Sequence, residues 1–191
     1  SLIENQFEKL FSQLLEDSEI KYKDLLTFST SRRVGVYVNG LNNYINSKQV
    51  EVRGPQVDAS KEAIQGFLKS NNLVNVSKLE TRVIKDKSYF VFKKKTKKKN
   101  TSDILKIETP KILQSIKWVK SMRWGSHNDR WIRPIKNILC IFNNKLLKIK
   151  FADLYSNNFT FGNYHFEEKK IRYTNYLNYR EKLKKTFVML D

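Results

Sequence analysis

Lys120–Pro134 reads Lys-Ser-Met-Arg-Trp-Gly-Ser-His-Asn-Asp-Arg-Trp-Ile-Arg-Pro, which places two of the chain's three tryptophans and three of its nine arginines within 15 residues. A guanidinium is planar, permanently charged, and able either to fork onto phosphate oxygens or to lie flat on a ring. Arginine interleaved with tryptophan therefore suits a polyanion that carries aromatic bases. In that chemistry Arg123, Arg130 and Arg133 neutralise phosphates while Trp124 and Trp131 stack on bases. The same residues also suit a turn pinned by two buried tryptophans with arginines at its edges, and the sequence leaves both readings open. Positive charge is concentrated again at Arg32–Arg33, at Arg53, and in the run Lys93-Lys-Lys-Thr-Lys-Lys-Lys99. Lys94, Lys95, Lys97 and Lys98 of that run would form either a solvated loop or a phosphate-contacting tongue that raises salt-sensitive affinity.

The formal charge of +18 on 191 residues points to an anionic partner, a nucleic acid or a membrane surface. Lysine is the weaker part of that signal. Lys, Asn and Ile are abundant throughout, as in an A/T-rich coding background, so the few clustered arginines carry more weight. With 40% hydrophobic residues the chain can bury a real core, as one domain or two small ones. The single cysteine, Cys140, precludes an intrachain disulfide and lies in the apolar run Ile-Leu-Cys-Ile-Phe, where a packed thiol is expected. No stretch reaches the roughly 20 apolar residues of a membrane span, and the expected compartment is the cytoplasm. A start at Ser1 without Met suggests a piece of a longer polypeptide.

Residues for bond-making chemistry are sparse. The two histidines, His127 and His165, have no companion at metal-ligand spacing. There is no Gly-x-x-x-x-Gly-Lys loop, no Gly-x-Gly-x-x-Gly and no Gly-x-Ser-x-Gly, which argues against nucleotide and serine hydrolases. No catalytic residue is assigned.

The elements that must position the basic residues follow from periodicity. Leu2, Ile3, Phe7, Leu10, Phe11, Leu14 and Leu15 recur at helical spacing and predict an amphipathic helix over Leu2–Asp17. Thr27–Arg33 reads as a polar turn into a strand at Val34–Val38, and a second strand over Gln49–Arg53 is expected to stop at Gly54-Pro55. Arg32, Arg33 and Arg53 could then converge at one end of that strand pair. A helix is expected from Ser60 to Ser70, a hairpin around Asp86-Lys87, and a helix over Thr101–Trp118 containing Pro110. Ile135–Phe142 suits a buried strand, turned by Asn143-Asn144 into Lys145–Phe151. Phe159–Phe166 is aromatic-rich, a charged helix runs from Thr174 to Lys185, and Phe187–Leu190 would begin another strand. The class is α+β, mixed, with largely antiparallel β-hairpins and several packed helices. A lobe at about 56–118 inserted within an outer part, 1–55 plus 119–191, is one possible division.

Five short stretches, in order, carry a resemblance: Thr30-Ser-Arg-Arg33, Val50-Glu-Val-Arg-Gly-Pro55, Ser60-Lys-Glu-Ala-Ile-Gln-Gly-Phe67, Lys120-Ser-Met-Arg-Trp-Gly125 and Trp131-Ile-Arg-Pro134. Together they resemble the N-terminal part of the bacterial glycyl-tRNA synthetase β subunit. Thr160-Phe-Gly-Asn-Tyr-His-Phe166 matches only loosely a family segment of the type Thr-x-Gly-His-Arg-Phe, since its Arg is missing. The resemblance implies a component of an α2β2 class II glycine-tRNA ligase. The α subunit would activate glycine with ATP and magnesium, with no cofactor in this chain. The β subunit would be needed for charging and would contribute most of the recognition of tRNA(Gly). The partners implied are the α subunit, tRNA(Gly) and a second β subunit, with no membrane. In that setting Arg32, Arg33, Arg53, Lys94, Lys95, Lys97, Lys98, Arg123, Trp124, Arg130 and Arg133 are the expected nucleic-acid-binding residues, although the Met-Arg-Trp-Gly and Arg-Pro motifs could instead face the α subunit. An alternative is an autonomous basic RNA-binding module with no synthetase partner; another is a scaffold whose charge reflects coding bias alone.

Overall fold

The computed structural model describes residues 1–126, 128–163 and 170–190. His127 and His165, and the end of the loosely matching segment at Tyr164–Phe166, lie outside the described residues. In chain order the elements are α1 (Leu2–Asp17), β1 (Asp24–Thr30), β2 (Arg33–Asn39), β3 (Tyr44–Ile45), β4 (Gln49–Gln56), α2 (Lys61–Ser70), β5 (Glu80–Ile84), β6 (Lys87–Lys95), β7 (Lys99–Asn100) and α3 (Thr101–Ser115). Short antiparallel pairs follow: β8 (Met122–Arg123) with β9 (Arg130–Trp131), β10 (Ile141–Phe142) with β11 (Lys145–Leu146), β12 (Lys150–Phe151) with β13 (Leu154–Tyr155), and β14 (Phe159–Phe161) with β15 (Lys170–Arg172). The last element is α4 (Tyr176–Lys185). The class is α+β, as the periodicity indicates.

The chain divides into two compact units, 1–45 with 99–191, and 46–98. The lobe suggested at 56–118 has other limits here: β4 belongs wholly to the second unit through its pairing with β6, and α3 to the first through its packing on α1.

In the first unit the β1–β2 hairpin is covered on both faces. Leu25, Val34 and Val36 pack on a cluster holding Phe7 and Phe11 of α1, Ile112 and Ile116 at the end of α3, Trp131 and Phe151. On the other face Phe28 and Tyr37 meet α4, with Tyr37 stacked on Tyr176 at 4.0 Å and Phe28 5.9 Å from Tyr179. The polar turn expected at Thr27–Arg33 is therefore strand as far as Thr30, with Ser31-Arg32 as a two-residue turn. The reason lies in α1: Glu4, the third residue of its capping box, accepts a hydrogen bond from Ser29 Oγ and so satisfies a hydroxyl that reads as loop. β2 pairs with β1 and not with β4, so Arg32 and Arg33 belong to one unit and Arg53 to the other.

Ile135–Phe142 is not one continuous strand. Ile141–Phe142 joins a ladder across the Asn143-Asn144 turn, whose two residues both have positive φ, and Leu139 makes a single parallel bridge to Asn157. Asn137 Nδ2 donates to the Phe159 carbonyl at 2.7 Å, and the apolar side chains divide among three clusters, so no single sheet face organises the run. Phe187–Leu190 is not a strand either. Phe187 takes φ 59° just past α4, and the amide of Val188 bonds the carbonyl of Leu183 at 3.0 Å, closing a Schellman end that buries Val188. Pro110 sits inside α3 and removes the amide that would bond the carbonyl of Lys106.

In the second unit β6 is the centre of an antiparallel β4–β6–β5 sheet, with α2 against one face. Phe67 of α2 meets Phe92 edge-on at 6.1 Å and lies over Gly54, where a Cβ would come within 2.7 Å of its ring. Gly54-Pro55 thus does not end the strand. The pair forms an irregularity between Arg53 and Gln56, where proline has no ladder amide to offer and glycine admits the ring. The β5–β6 turn is centred on Lys85-Asp86, one residue earlier than expected, and both take positive φ.

Candidate nucleic-acid interface

The Arg/Trp stretch folds as the β8–β9 hairpin, in which Met122 faces Trp131 and Arg123 faces Arg130. Alternation sends Trp131 inward. It is 8% exposed, 4.7 Å from Trp118 and 5.5 Å from Phe151, both edge-on. Trp131 is a core residue, which corrects the expectation that it stacks on a base. Trp124 is half-buried against the same cluster. The arginines are the outward residues. Arg130 turns back onto its own hairpin, donating from Nε to Ser121 Oγ and from Nη2 to the Ser121 carbonyl, each at 3.0 Å. Arg123 and Arg133 are exposed.

The candidates at the β1–β2 turn differ from each other. Arg32 is exposed at the turn, its amide held by Thr30 Oγ1. Arg33 is half-buried and donates from Nη2 to the carbonyls of Phe161 and of Gly162, the latter at 3.0 Å. Through Nη2 it staples the end of β14 to the hairpin. Arg32, Arg33, Arg133 and Lys136 border one broad cleft of the first unit. Lys136 is invisible to sequence reasoning, because a lone lysine among 28 carries no signal.

In the second unit the Lys93–Lys99 run is strand at both ends. Lys93, Lys94 and Lys95 complete β6, opposite Glu51, Val50 and Gln49, and Lys99 begins β7 in the first unit. The reading as a loop holds only for 96–98. Lys93 pairs with Glu80 at 3.2 Å, and Lys94, Lys95, Lys97 and Lys98 are exposed. The Arg53 guanidinium carbon lies over the ring of Tyr89, 3.7 Å from its centroid, and Tyr89 Oη accepts from Gln56 Nε2 at 3.1 Å. That hydrogen bond, with the Arg53 charge behind it, lowers the Tyr89 phenol from its ordinary value. Tyr89 is a residue that motif and charge patterns do not reveal. Its signal is only the strand register, which brings position 89 beside position 53 across the ladder.

Neither unit gathers groups for bond-making among the described residues: no three His, Cys, Asp or Glu side chains come together as a metal site. Among the same residues no helix is long and apolar enough to cross a membrane. What the two surfaces can do is hold anions with exposed guanidinium and ammonium groups on strands, turns and loops.

Comparison with known proteins agrees with this chemistry. Residues 1–191 match the family described as glycyl-tRNA synthetase beta subunit. The chain is 35% identical over 190 residues to the glycine–tRNA ligase beta subunit of Rickettsia bellii strain OSU 85-389, and 36% identical over 192 residues to that of Rickettsia prowazekii strain Madrid E. Each alignment covers 98% of this chain and 28% of the relative, so the chain spans about a quarter of the length of these relatives.

Proposed function

The chain belongs to the glycyl-tRNA synthetase beta subunit family, and on that premise we propose that it is the tRNA-contacting N-terminal part of the β subunit of a glycine–tRNA ligase. The observation that carries the reading is the family match along the whole chain, on a molecule with a formal charge of +18. Arg32 and Arg133 at the cleft of the first unit, and Arg53, Lys94, Lys95, Lys97 and Lys98 of the second, contact tRNA phosphates. Contacts of this kind position the RNA and carry no sequence information by themselves. Trp124, half-buried, offers at most an edge to a base. Glycine activation with ATP and magnesium belongs to a companion α subunit, and the working assembly contains both subunits in the cytoplasm.

The test uses the intact β subunit with its companion. Replacing Lys94, Lys95 and Lys97 together by Ala is expected to weaken binding of tRNA(Gly) and to flatten its log–log salt dependence by about 2 to 3, near one unit for each phosphate no longer neutralised. An unchanged slope would remove the lysine run from the interface. Failure of the intact β subunit to support glycylation with any companion subunit, ATP and magnesium would refute the reading as a whole.

A further inference from the structure

Resting on the ligase reading above, we propose that the β8–β9 hairpin is the docking face for the companion subunit and not an RNA surface. The tryptophans that make this stretch look suited to bases are turned into or against the core. Exposed beside Arg123 and Arg130 are aliphatic side chains as well as Lys120: Val119 is 87% exposed, Ile132 48% and, on the Trp131 side of the ladder, Met122 46%. Aliphatic side chains offer no ring to stack on a base, and exposing them to a polyanion gains nothing. Arginine and methionine around an apolar centre is the composition of a protein–protein contact.

The charges specify the occupant further. Arg123 and Arg130 stand directly opposite each other in the ladder, an arrangement of like charges that is unfavourable until a counter-charge arrives. Arg130 is drawn back onto Ser121, while no hydrogen bond or ion pair engages Arg123 among the described residues. A carboxylate across the contact completes the pair, and an apolar neighbour covers Val119 and Ile132. A second copy of this chain fits badly, because it would bring another strongly basic surface against this one. The occupant is therefore an acidic, apolar-centred surface on a different subunit.

The experiment measures two affinities of the intact β subunit, one for the purified companion subunit and one for tRNA(Gly) without the companion. Arg123→Glu and Ile132→Ser are each expected to weaken subunit association at least tenfold while leaving tRNA affinity within twofold of wild type. Arg123→Lys, which keeps the charge and leaves the hairpin undisturbed, is expected to weaken it by a smaller factor because the fork onto a carboxylate is gone. Val83→Asp, at an exposed valine of the second unit, serves as the control and leaves association unchanged. Association unaffected by all three hairpin variants would overturn the inference, and a loss of tRNA affinity with association intact would assign the hairpin to RNA. A wild-type β subunit that bound tRNA(Gly) but no companion would refute the ligase reading itself and the inference with it.

Discussion

The ring of Phe28 lies directly across Gly35 on the neighbouring strand, so close that a Cβ at position 35 would overlap the ring atoms. Because Phe28 is simultaneously packed on Tyr176 and Tyr179 of α4, the ring has no free direction in which to retreat. Gly35→Ala is expected to destabilise the first unit by about 1–3 kcal/mol, the cost of overpacking a filled site. Phe28→Leu in the same chain should relieve part of that cost, so the double variant will be more stable than the two single effects predict. Thermal melts of the four proteins measure this coupling. A Gly35→Ala protein that melts with wild type would show that the ring can move aside.

Trp131 provides a separate check on which way the Arg/Trp stretch faces. Its indole is held by Trp118 and Phe151, so Trp131→Ala should cost about 3–5 kcal/mol in stability. Trp131→Leu keeps an apolar side chain but has no ring, and is expected to fold with tRNA affinity within twofold of wild type. A folded Leu variant with tenfold weaker tRNA binding would put the indole on the RNA after all.

Alkaline pH supplies a further expectation. Burial pushes the Cys140 thiol up to about 11. Burial, reinforced by their mutual proximity in the case of Tyr173, pushes the phenols of Tyr173 and Tyr179 up to about 12, with Arg33 pulling the other way. A group whose value is raised on folding contributes stability that is intact below its unfolded value and disappears as pH rises through the folded one. For Cys140 that window runs from about 9 to about 11. The stability difference between wild type and Cys140→Ala should therefore be constant from pH 7 to about 8.5 and shrink in favour of the variant as pH approaches 11. Urea midpoints across that range measure it. A difference that stays constant to pH 11 would mean that the thiol titrates as if unfolded.

Elements with local signals are legible in the order of residues alone. Leu2–Asp17 is a helix because its apolar residues repeat at helical spacing behind a Ser/Glu capping box, and Ser60 caps the next helix through the amide of Ala63 at 3.3 Å. Asn143-Asn144 turns a hairpin because both residues tolerate positive φ. Family membership is legible too, since short motifs survive as residue strings whatever they touch.

Other features exist only once distant parts of the chain have met. Thr27–Thr30 is strand because Glu4, 25 residues before Ser29, accepts its hydroxyl. Gly54-Pro55 continues a strand because Phe67 needs the space above the glycine. Most of all, the direction in which Arg123, Trp124, Arg130 and Trp131 point is not contained in their order. Alternation in a strand fixes that neighbours face opposite ways, but which face is inside depends on where Trp118 and Phe151 arrive in the folded chain.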